Sequence, residues 1–214
     1  MIFITPLFYV STLVCTAEMP VDVQGDDRVL TVKVEGCVQL MSPGEDQSSL
    51  EKQIAKAKAE VEAQIRRLEG GVGSYYEYYS AVGNLLCLQF ALNRVEDPKP
   101  KLTQRQKLLA EDIKDNFQKR LHFLANAHSA GMVNGAELIK LRINALLFER
   151  EMLQLSVSAP GAIVSVQEKV VKEAQALLDV RRSQAGIATS EEVAAAEVLL
   201  AREKALLGEL RSRL

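Results

Sequence analysis

The chain has 214 residues, of which 48% are hydrophobic, and its formal net charge is −2. This length and apolar content suffice for one or two domains with a buried core. The near-neutral charge gives no electrostatic indication of nucleic acid or of an anionic membrane surface as a partner. Aromatic residues make up only 5% and Trp is absent, so the composition favours long helices packed along narrow seams over a deep aromatic-lined pocket.

The first 17 residues resemble an export signal. Residues 2–14 are apolar apart from Thr5, Ser11 and Thr12, and small residues stand at the two positions that a signal peptidase reads, Cys15 and Ala17. The sequence therefore predicts cleavage after Ala17 and a mature chain that begins at Glu18. A membrane span is one alternative, although about 20 apolar residues are needed to cross a bilayer. A lipid anchor on Cys15 is the other.

Two cysteines remain in the predicted mature chain, Cys37 and Cys87. An even number in an exported chain permits one disulfide. The alternative is that each is buried as a small apolar residue. Their spacing does not suit a metal site, and the pairing stays open.

A short β segment is predicted between the signal and the helices, in residues 18–46. Leu30, Val32 and Val34 alternate with polar residues, which is typical of a strand with one buried face. A turn at Pro43 closes a second short apolar run, so a small hairpin is predicted. It would pack either on the helices or on the sheet of another chain.

The rest of the chain has the pattern of six helices. Apolar residues recur at spacings of three and four, and glycine, proline or small polar residues mark the breaks. Ser48 is predicted to cap the first helix, with Glu51 as the partner that completes a capping box. The predicted helices run from Ser48 to about Gly70, Tyr75 to about Val95, Thr103 to Ala130, Ala136 to about Leu155, Val164 to Ala185 and Ser190 to Leu214.

Three of the predicted turns share one residue pattern. Each has a glycine, a capping residue three positions later and a glutamate three positions after that. The cap can accept a hydrogen bond from a helix amide while the glutamate reaches back, and the glycine suits a left-handed helix end. Such internal recurrence indicates repeated supersecondary units. The turn residues are Gly71, Ser74, Glu77, Gly131, Asn134, Glu137, Gly186, Thr189 and Glu192.

The predicted fold is therefore mainly all-α, with three long antiparallel helical hairpins that pack as coiled coils after a small N-terminal β segment. The predicted parts of the chain are the signal peptide at 1–17, the β segment at 18–46, and the hairpins at 47–97, 98–157 and 158–214.

One apolar seam follows a heptad pattern. In the second hairpin its residues are spaced 3, 4, 3, 4 and 3. The last helix keeps this frame but places Glu203 where the second hairpin has Phe148. A charged residue there indicates a rotated seam or a solvated gap more often than a site. The seam residues are Leu138, Leu141, Ala145, Phe148, Met152 and Leu155, and in the last helix Val193, Ala196, Leu200, Leu207, Leu210 and Leu214.

A tyrosine cluster follows the first turn. It is a candidate contact patch for a protein partner, because tyrosines are favoured anchors in interfaces. The alternative is internal packing, with Tyr75 and Tyr79 on one face and Tyr78 on the core. The cluster consists of Tyr75, Tyr76, Tyr78 and Tyr79.

No residue pattern indicates catalysis. His122 and His128 are six apart on one predicted helix, which does not place them on one face as a pair of metal ligands. Neither a phosphate-binding loop after a strand nor a nucleophile elbow is present. We therefore expect no catalytic residue, metal or cofactor.

The sequence RRSQAGIATSEEVAAAEVLLAREKAL, residues 181–206, resembles the helix-turn-helix segment of the outer-membrane efflux protein family of the TolC type. It has that family's arginine-rich helix end, glycine turn, small cap, acidic-plus-valine pair and Ala-Glu seam. The second hairpin, HFLANAHSAGMVNGAELIKLRINALL, is similar more loosely, so the resemblance covers about residues 103–214. It implies a helical protein of the periplasm or outer membrane, whose hairpins form an α-helical tunnel and meet a periplasmic adaptor at their tips.

Two classes of function follow. The first is an efflux-type envelope protein that contributes coiled-coil hairpins to a transport-associated assembly, as a homo-oligomer or with an adaptor. The second is a soluble exported helical adaptor or scaffold with no transport role. Both act through protein contacts, neither involves nucleic acid, and both involve a membrane only indirectly.

N-terminal sequencing of the protein from its own host tests the predicted export. We expect the sequence to begin at Glu18, because a signal peptidase would cut after Ala17. Recovery of the chain from the cytosol with Met1 intact would contradict export.

Overall fold

The structure is a computed structural model that describes residues 46–99, 101–156, 159–184 and 188–214. The described residues form mainly helix, which confirms the all-α part of the prediction. The predicted signal peptide and β segment lie outside the described residues, apart from Asp46. The helices are α1 (Gln47–Glu69), α2 (Tyr75–Glu96), α3 (Gln104–Ser129), α4 (Gly135–Leu155), α5 (Pro160–Ser183) and α6 (Ser190–Ser212).

The six helices pack as an array in sequence order. Within the described part of the chain, the helix pairs whose backbones approach closely are α1 with α2, α2 with α3, α3 with α4, α4 with α5 and α5 with α6. Short connections between long helices make successive helices antiparallel. Each helix is therefore stabilised mainly by its sequence neighbours, as in a repeat protein.

Three apolar clusters hold this array together. The first joins α1 to α2, the second joins α2, α3 and α4, and the third joins α4, α5 and α6. Two helices, α2 and α4, thus belong to two clusters each. The fully buried members are Leu50, Ile54, Ala57, Leu88 and Ala91 in the first; Cys87, Phe90, Ile113, Phe117, Leu124, Leu138, Leu141 and Phe148 in the second; and Ala136, Ile139, Ile143, Leu147, Val170, Ala174, Leu177, Leu178, Ala196, Leu199 and Leu200 in the third.

Helix α4 is buried on two faces. The predicted heptad seam, which includes Leu138 and Phe148, lies in the second cluster. A further set that the heptad pattern did not single out, Ile139, Ile143 and Leu147, lies in the third cluster. The second buried face follows from the position of α4 in the middle of the array, because each of its sides meets another helix.

Two predicted helix starts are wrong. Ser48 is not the cap of α1, which already begins at Gln47 and has Asp46 at the N-cap position without a side-chain cap bond. Glu51 accepts a hydrogen bond of 3.0 Å from the Gln47 side chain instead. Helix α5 begins at Pro160 rather than Val164, since the fixed φ of proline fits a first helical position, where its missing N–H would have no partner anyway.

A capping box ties the start of α3 to the end of α2. Thr103 accepts from the Gln106 amide at 3.3 Å, and the Gln106 side chain accepts from the Thr103 amide at 3.0 Å. The same buried glutamine donates to the carbonyls of Asn93 and Asp97 at 2.9 and 3.2 Å. One side chain therefore satisfies backbone groups of both helices, which fixes the direction in which α3 leaves the linker.

Replacement of Gly131 by alanine should destabilise the protein by about 1–2 kcal/mol, because its φ of 72° is a left-handed conformation that a Cβ disfavours. No neighbouring atom lies within 4 Å of where that Cβ would stand, so steric conflict does not add to the cost.

The matched control is Gly161→Ala in the first turn of α5, where the space is equally open and φ is helical. Alanine should raise stability there by up to about 1 kcal/mol. Equal shifts for the two variants in chemical unfolding would show that Gly131 is not held in the left-handed conformation.

Candidate functional site

The three predicted capping residues occupy the N-cap positions of α2, α4 and α6. Ser74 accepts a hydrogen bond from the Tyr76 amide at 3.2 Å, and Asn134 accepts one from the Ala136 amide at 3.0 Å. Thr189 accepts one from the Glu192 amide at 3.2 Å. These side chains satisfy amides that a helix leaves without a partner at its first turn.

The reciprocal capping box forms at the third turn, where the Thr189 amide donates to Glu192 at 3.0 Å. At the first two turns the predicted box is replaced by ion pairs. Glu77 lies 3.7 Å from Arg67 of α1, and Glu137 lies 2.9 Å from Lys140 of α4. The reason is local, because the first two caps bond the second helical amide and leave the glutamate free to turn towards a cation.

The predicted left-handed glycines are confirmed at the first two turns, where Gly71 and Gly131 both have a φ of 72°. The third predicted glycine, Gly186, lies outside the described residues.

The second and third turns lie side by side. Asn134 and Gln184 exchange two hydrogen bonds, of 3.2 and 2.9 Å. Buried Arg181 of α5 reaches Glu192 of α6 at 2.8 Å and Glu137 of α4 at 3.8 Å. One guanidinium thus bridges both turns, so the end of α5 and the starts of α4 and α6 meet at one end of the array.

The tyrosines join the first turn to α3. Tyr75 stacks on Phe123 with ring centroids 6.0 Å apart, and Tyr79 packs on the same ring at 5.8 Å. Tyr76 packs against the second apolar cluster, whereas Tyr78 lies beside Tyr79 at 5.2 Å. Tyr75 and Tyr79 thus share one face of α2, as the packing alternative supposed, while Tyr76 is the tyrosine that packs against the second apolar cluster.

Three apolar side chains are exposed at this end of the array, and we call them the tip surface: Val72, Tyr75 and Met132. Val72 and Met132 are each 74% exposed, and Tyr75 is 58% exposed. Val72 and Met132 occupy equivalent positions, directly after the left-handed glycines. The recurrence of an exposed apolar residue at equivalent positions makes the tip surface a candidate for protein contact. The third equivalent, Ile187, lies outside the described residues.

A buried polar cluster joins α4, α5 and α6 in the other half of these helices. Arg150 donates to Gln167 at 2.7 Å and to Glu203 at 3.0 Å. Gln167 donates to the carboxylate and to the backbone carbonyl of Glu203, both at 2.9 Å. Arg202 completes the cluster with a contact of 2.7 Å to Glu203.

The expectation of a solvated gap or a rotated seam at Glu203 is therefore wrong, since only 1% of this residue is exposed. Burial has the largest effect on this carboxyl group and would raise its pKa. The hydrogen bond from Gln167 and the charges of Arg150 and Arg202 outweigh burial and hold the pKa of Glu203 below its usual value of 4.5. Arg150, Gln167 and Glu203 are buried between three helices, so the role of the cluster is to fix the register of these helices.

Both histidines of α3 make hydrogen bonds to residues four or five positions away. His128 makes a hydrogen bond of 3.0 Å to the carbonyl of Val133 across the second turn, and His122 lies 3.1 Å from Asn126. The described ranges contain no cluster of three or more His, Cys, Asp or Glu residues that could hold a metal ion. None of α1 to α6, as described, has an apolar stretch of the length that crossing a membrane requires.

Cys87 of α2 is disulfide-bonded. It is the one cysteine among the described residues, so its partner lies outside them. The pairing considered between Cys37 and Cys87 likewise involves a residue outside the described part of the chain.

Comparison with known proteins gives no family. No protein-family model matches the chain, and neither the curated proteins nor the solved structures contain a significant match.

Replacement of Glu203 by glutamine should cost about 3–5 kcal/mol of unfolding free energy, because it leaves the buried charge of Arg150 without its main partner. Glu197→Gln is the matched control on the same helix. Its ion pair with Arg182, at 2.6 Å, is half exposed, so its loss should cost at most about 1 kcal/mol. Equal costs in chemical unfolding would contradict the role of the cluster.

The same pair of variants tests the lowered pKa of Glu203. A carboxyl group with a lowered pKa in the folded state stabilises the protein above its unfolded pKa, and this contribution disappears as the pH falls through the folded pKa. The native chain should therefore lose stability on acidification below about pH 4.3. In Glu203→Gln that part of the loss should be absent.

Proposed function

We propose that this chain is an exported helical scaffold of the cell envelope that contacts a protein partner through the tip surface. The observation that carries this proposal is the equal 74% exposure of Val72 and Met132 at equivalent turns. Exposed apolar residues at the ends of rigid helices are suited to enter a pocket of a partner, because little ordering is needed on binding. This function requires neither a cofactor nor a catalytic residue.

The grouping of the six helices into three coiled-coil hairpins is part of this proposal. It is supported by the N-caps Ser74, Asn134 and Thr189, which occur at alternate helix starts. It is also supported by the ion pairs of Arg181 with Glu137 and Glu192, which hold two of the turns together. Repeated units of this kind present equivalent residues at one end.

Two observations support export. The first is the apolar segment at residues 1–17, which ends in small residues. The second is the disulfide at Cys87, because disulfides persist mainly in oxidising compartments such as the periplasm and the cell exterior.

The second candidate is a relation to the outer-membrane efflux proteins of the TolC type. One specific observation favours it. The residues that carry the resemblance at the third turn contact one another, since Arg181 pairs with Glu192 and Glu192 completes the capping box of Thr189. On this hypothesis the tips would meet a periplasmic adaptor or further copies of this chain, in an assembly associated with transport.

Photo-crosslinking in the native host tests the contact role. A photoreactive residue is placed at Val72 or at Met132, and in the control at Val198, which is 53% exposed but lies on the side of α6. We expect discrete crosslinked products from the two tip positions and none from position 198. Products that are equal at all three positions, or absent from both tips, would contradict a contact role for the tip surface.

The mass of the product separates the candidates. A product of twice the chain mass indicates a homo-oligomer, and a heavier or lighter one identifies a different partner for mass spectrometry. A partner that belongs to a transport assembly favours the efflux relation, whereas any other envelope protein favours the scaffold.

A further inference from the structure

A groove of about 510 Å³ runs along α2 between α1 and α3. Small residues of α2, Ser80, Ala81 and Gly83, form its floor. The apolar side chains of Ile113 and Phe117 line the wall on the side of α3. The lining of the groove therefore combines small and apolar side chains.

The floor of the groove depends on Gly83. A Cβ at this position would stand 2.5 Å from Oδ1 of Asn116, so only glycine lets this side chain approach α2. Asn116 uses the space to donate a hydrogen bond of 2.9 Å to the carbonyl of Tyr79. Buried Arg120 lies next to it, with its guanidinium 5.6 Å from the ring of Tyr76. The groove thus combines a fixed polar floor with an apolar wall.

Cys87 lies in this groove and is disulfide-bonded to a cysteine outside the described residues. The Cα atoms of two bonded cysteines are at most about 7 Å apart. A disulfide at Cys87 therefore makes the groove a candidate docking site for the segment that carries the partner cysteine.

We propose that the partner of Cys87 is Cys37 and that residues 30–40 dock in the groove. Cys37 precedes Gln47 by ten residues, which can span up to about 33–36 Å when extended. Leu50 near the start of α1 packs in one cluster with Leu88 and Ala91, so α1 begins close to the level of Cys87. The connection is therefore long enough.

The chemistry of residues 30–40 matches the groove. Val32 and Val34 alternate with Lys33 and Glu35, so an extended conformation has one apolar and one charged side. The apolar side fits the wall of Ile113 and Phe117. The lining of the groove also includes side chains of both charges, Glu60, Glu77 and Arg120.

Peptide mapping under non-reducing conditions tests the pairing. The protein is isolated from its host without reductant, free thiols are blocked with N-ethylmaleimide, and the chain is cut with trypsin. We expect residues 34–52 to be linked to residues 68–94, and the link to disappear after reduction. A blocked thiol at Cys37, or a link from Cys87 to Cys15, would overturn the proposal.

A tryptophan reporter tests docking separately from the covalent bond, since the chain contains no Trp. In the full chain Val34→Trp should emit at shorter wavelength than Gln24→Trp, which lies before the docking segment. The emission of the Val34→Trp protein should shift to longer wavelength when Cys37→Ser is added, and also when Ser80→Arg fills the groove.

The control for the groove variant is Gln118→Arg on the exposed side of α3, which should leave the emission of Val34→Trp unchanged. If the two peptides are linked but both tryptophans emit like a solvated residue, the groove is not the docking site and this part of the proposal fails. If Ser80→Arg and Gln118→Arg act equally, it fails as well.

Discussion

The rest of the described structure depends on the two apolar faces of α4. One face, with Leu138 and Phe148, packs in the cluster that it shares with α2 and α3, and the other, with Ile143 and Leu147, packs in the cluster with α5 and α6. No other described helix belongs to both of these clusters. Without the double face, the array would separate into two groups of three helices, because a helix in a linear array is stabilised only through its neighbours.

The buried polar cluster fixes the positions of α4, α5 and α6 along one another. A linear array allows neighbouring helices to slide, since apolar contacts are not directional. The hydrogen bonds among Arg150, Gln167 and Glu203 are directional and join three successive helices at one level. A shift by one helical turn would leave a buried charge without its partner, which is costly in a low-dielectric interior. The register so fixed also determines which turns are neighbours at the other end.

The tip surface follows from the same geometry. Left-handed glycines reverse the chain within a few residues, so the residue after each glycine has no helix to pack on. This leaves Val72 and Met132 exposed, while Arg181 and the pair of Asn134 with Gln184 hold the second and third turns in place. A rigid end with exposed apolar residues is what a protein-contact function needs. The groove along α2 is different in kind, because its lining includes the disulfide-bonded Cys87.

Local sequence patterns predicted most helix positions and the caps at Ser74, Asn134 and Thr189, because capping and helical periodicity are interactions between residues three or four positions apart. They also predicted the left-handed glycines Gly71 and Gly131. The local pattern failed at the start of α1, where Ser48 had the residue type of a cap but Asp46 occupies the N-cap position.

The tertiary structure alone decided the environment of Glu203. Its partners Arg150 and Gln167 lie 53 and 36 positions away in the chain, and a heptad pattern shows only that a charge interrupts the seam. Likewise, the heptad pattern of α4 predicted one buried seam. The second buried face, with Ile143 and Leu147, is explained only by the packing of α5 and α6 against it. Burial and charge pairing depend on which helices meet, and that is settled by the packing of the whole array rather than by any local stretch of sequence.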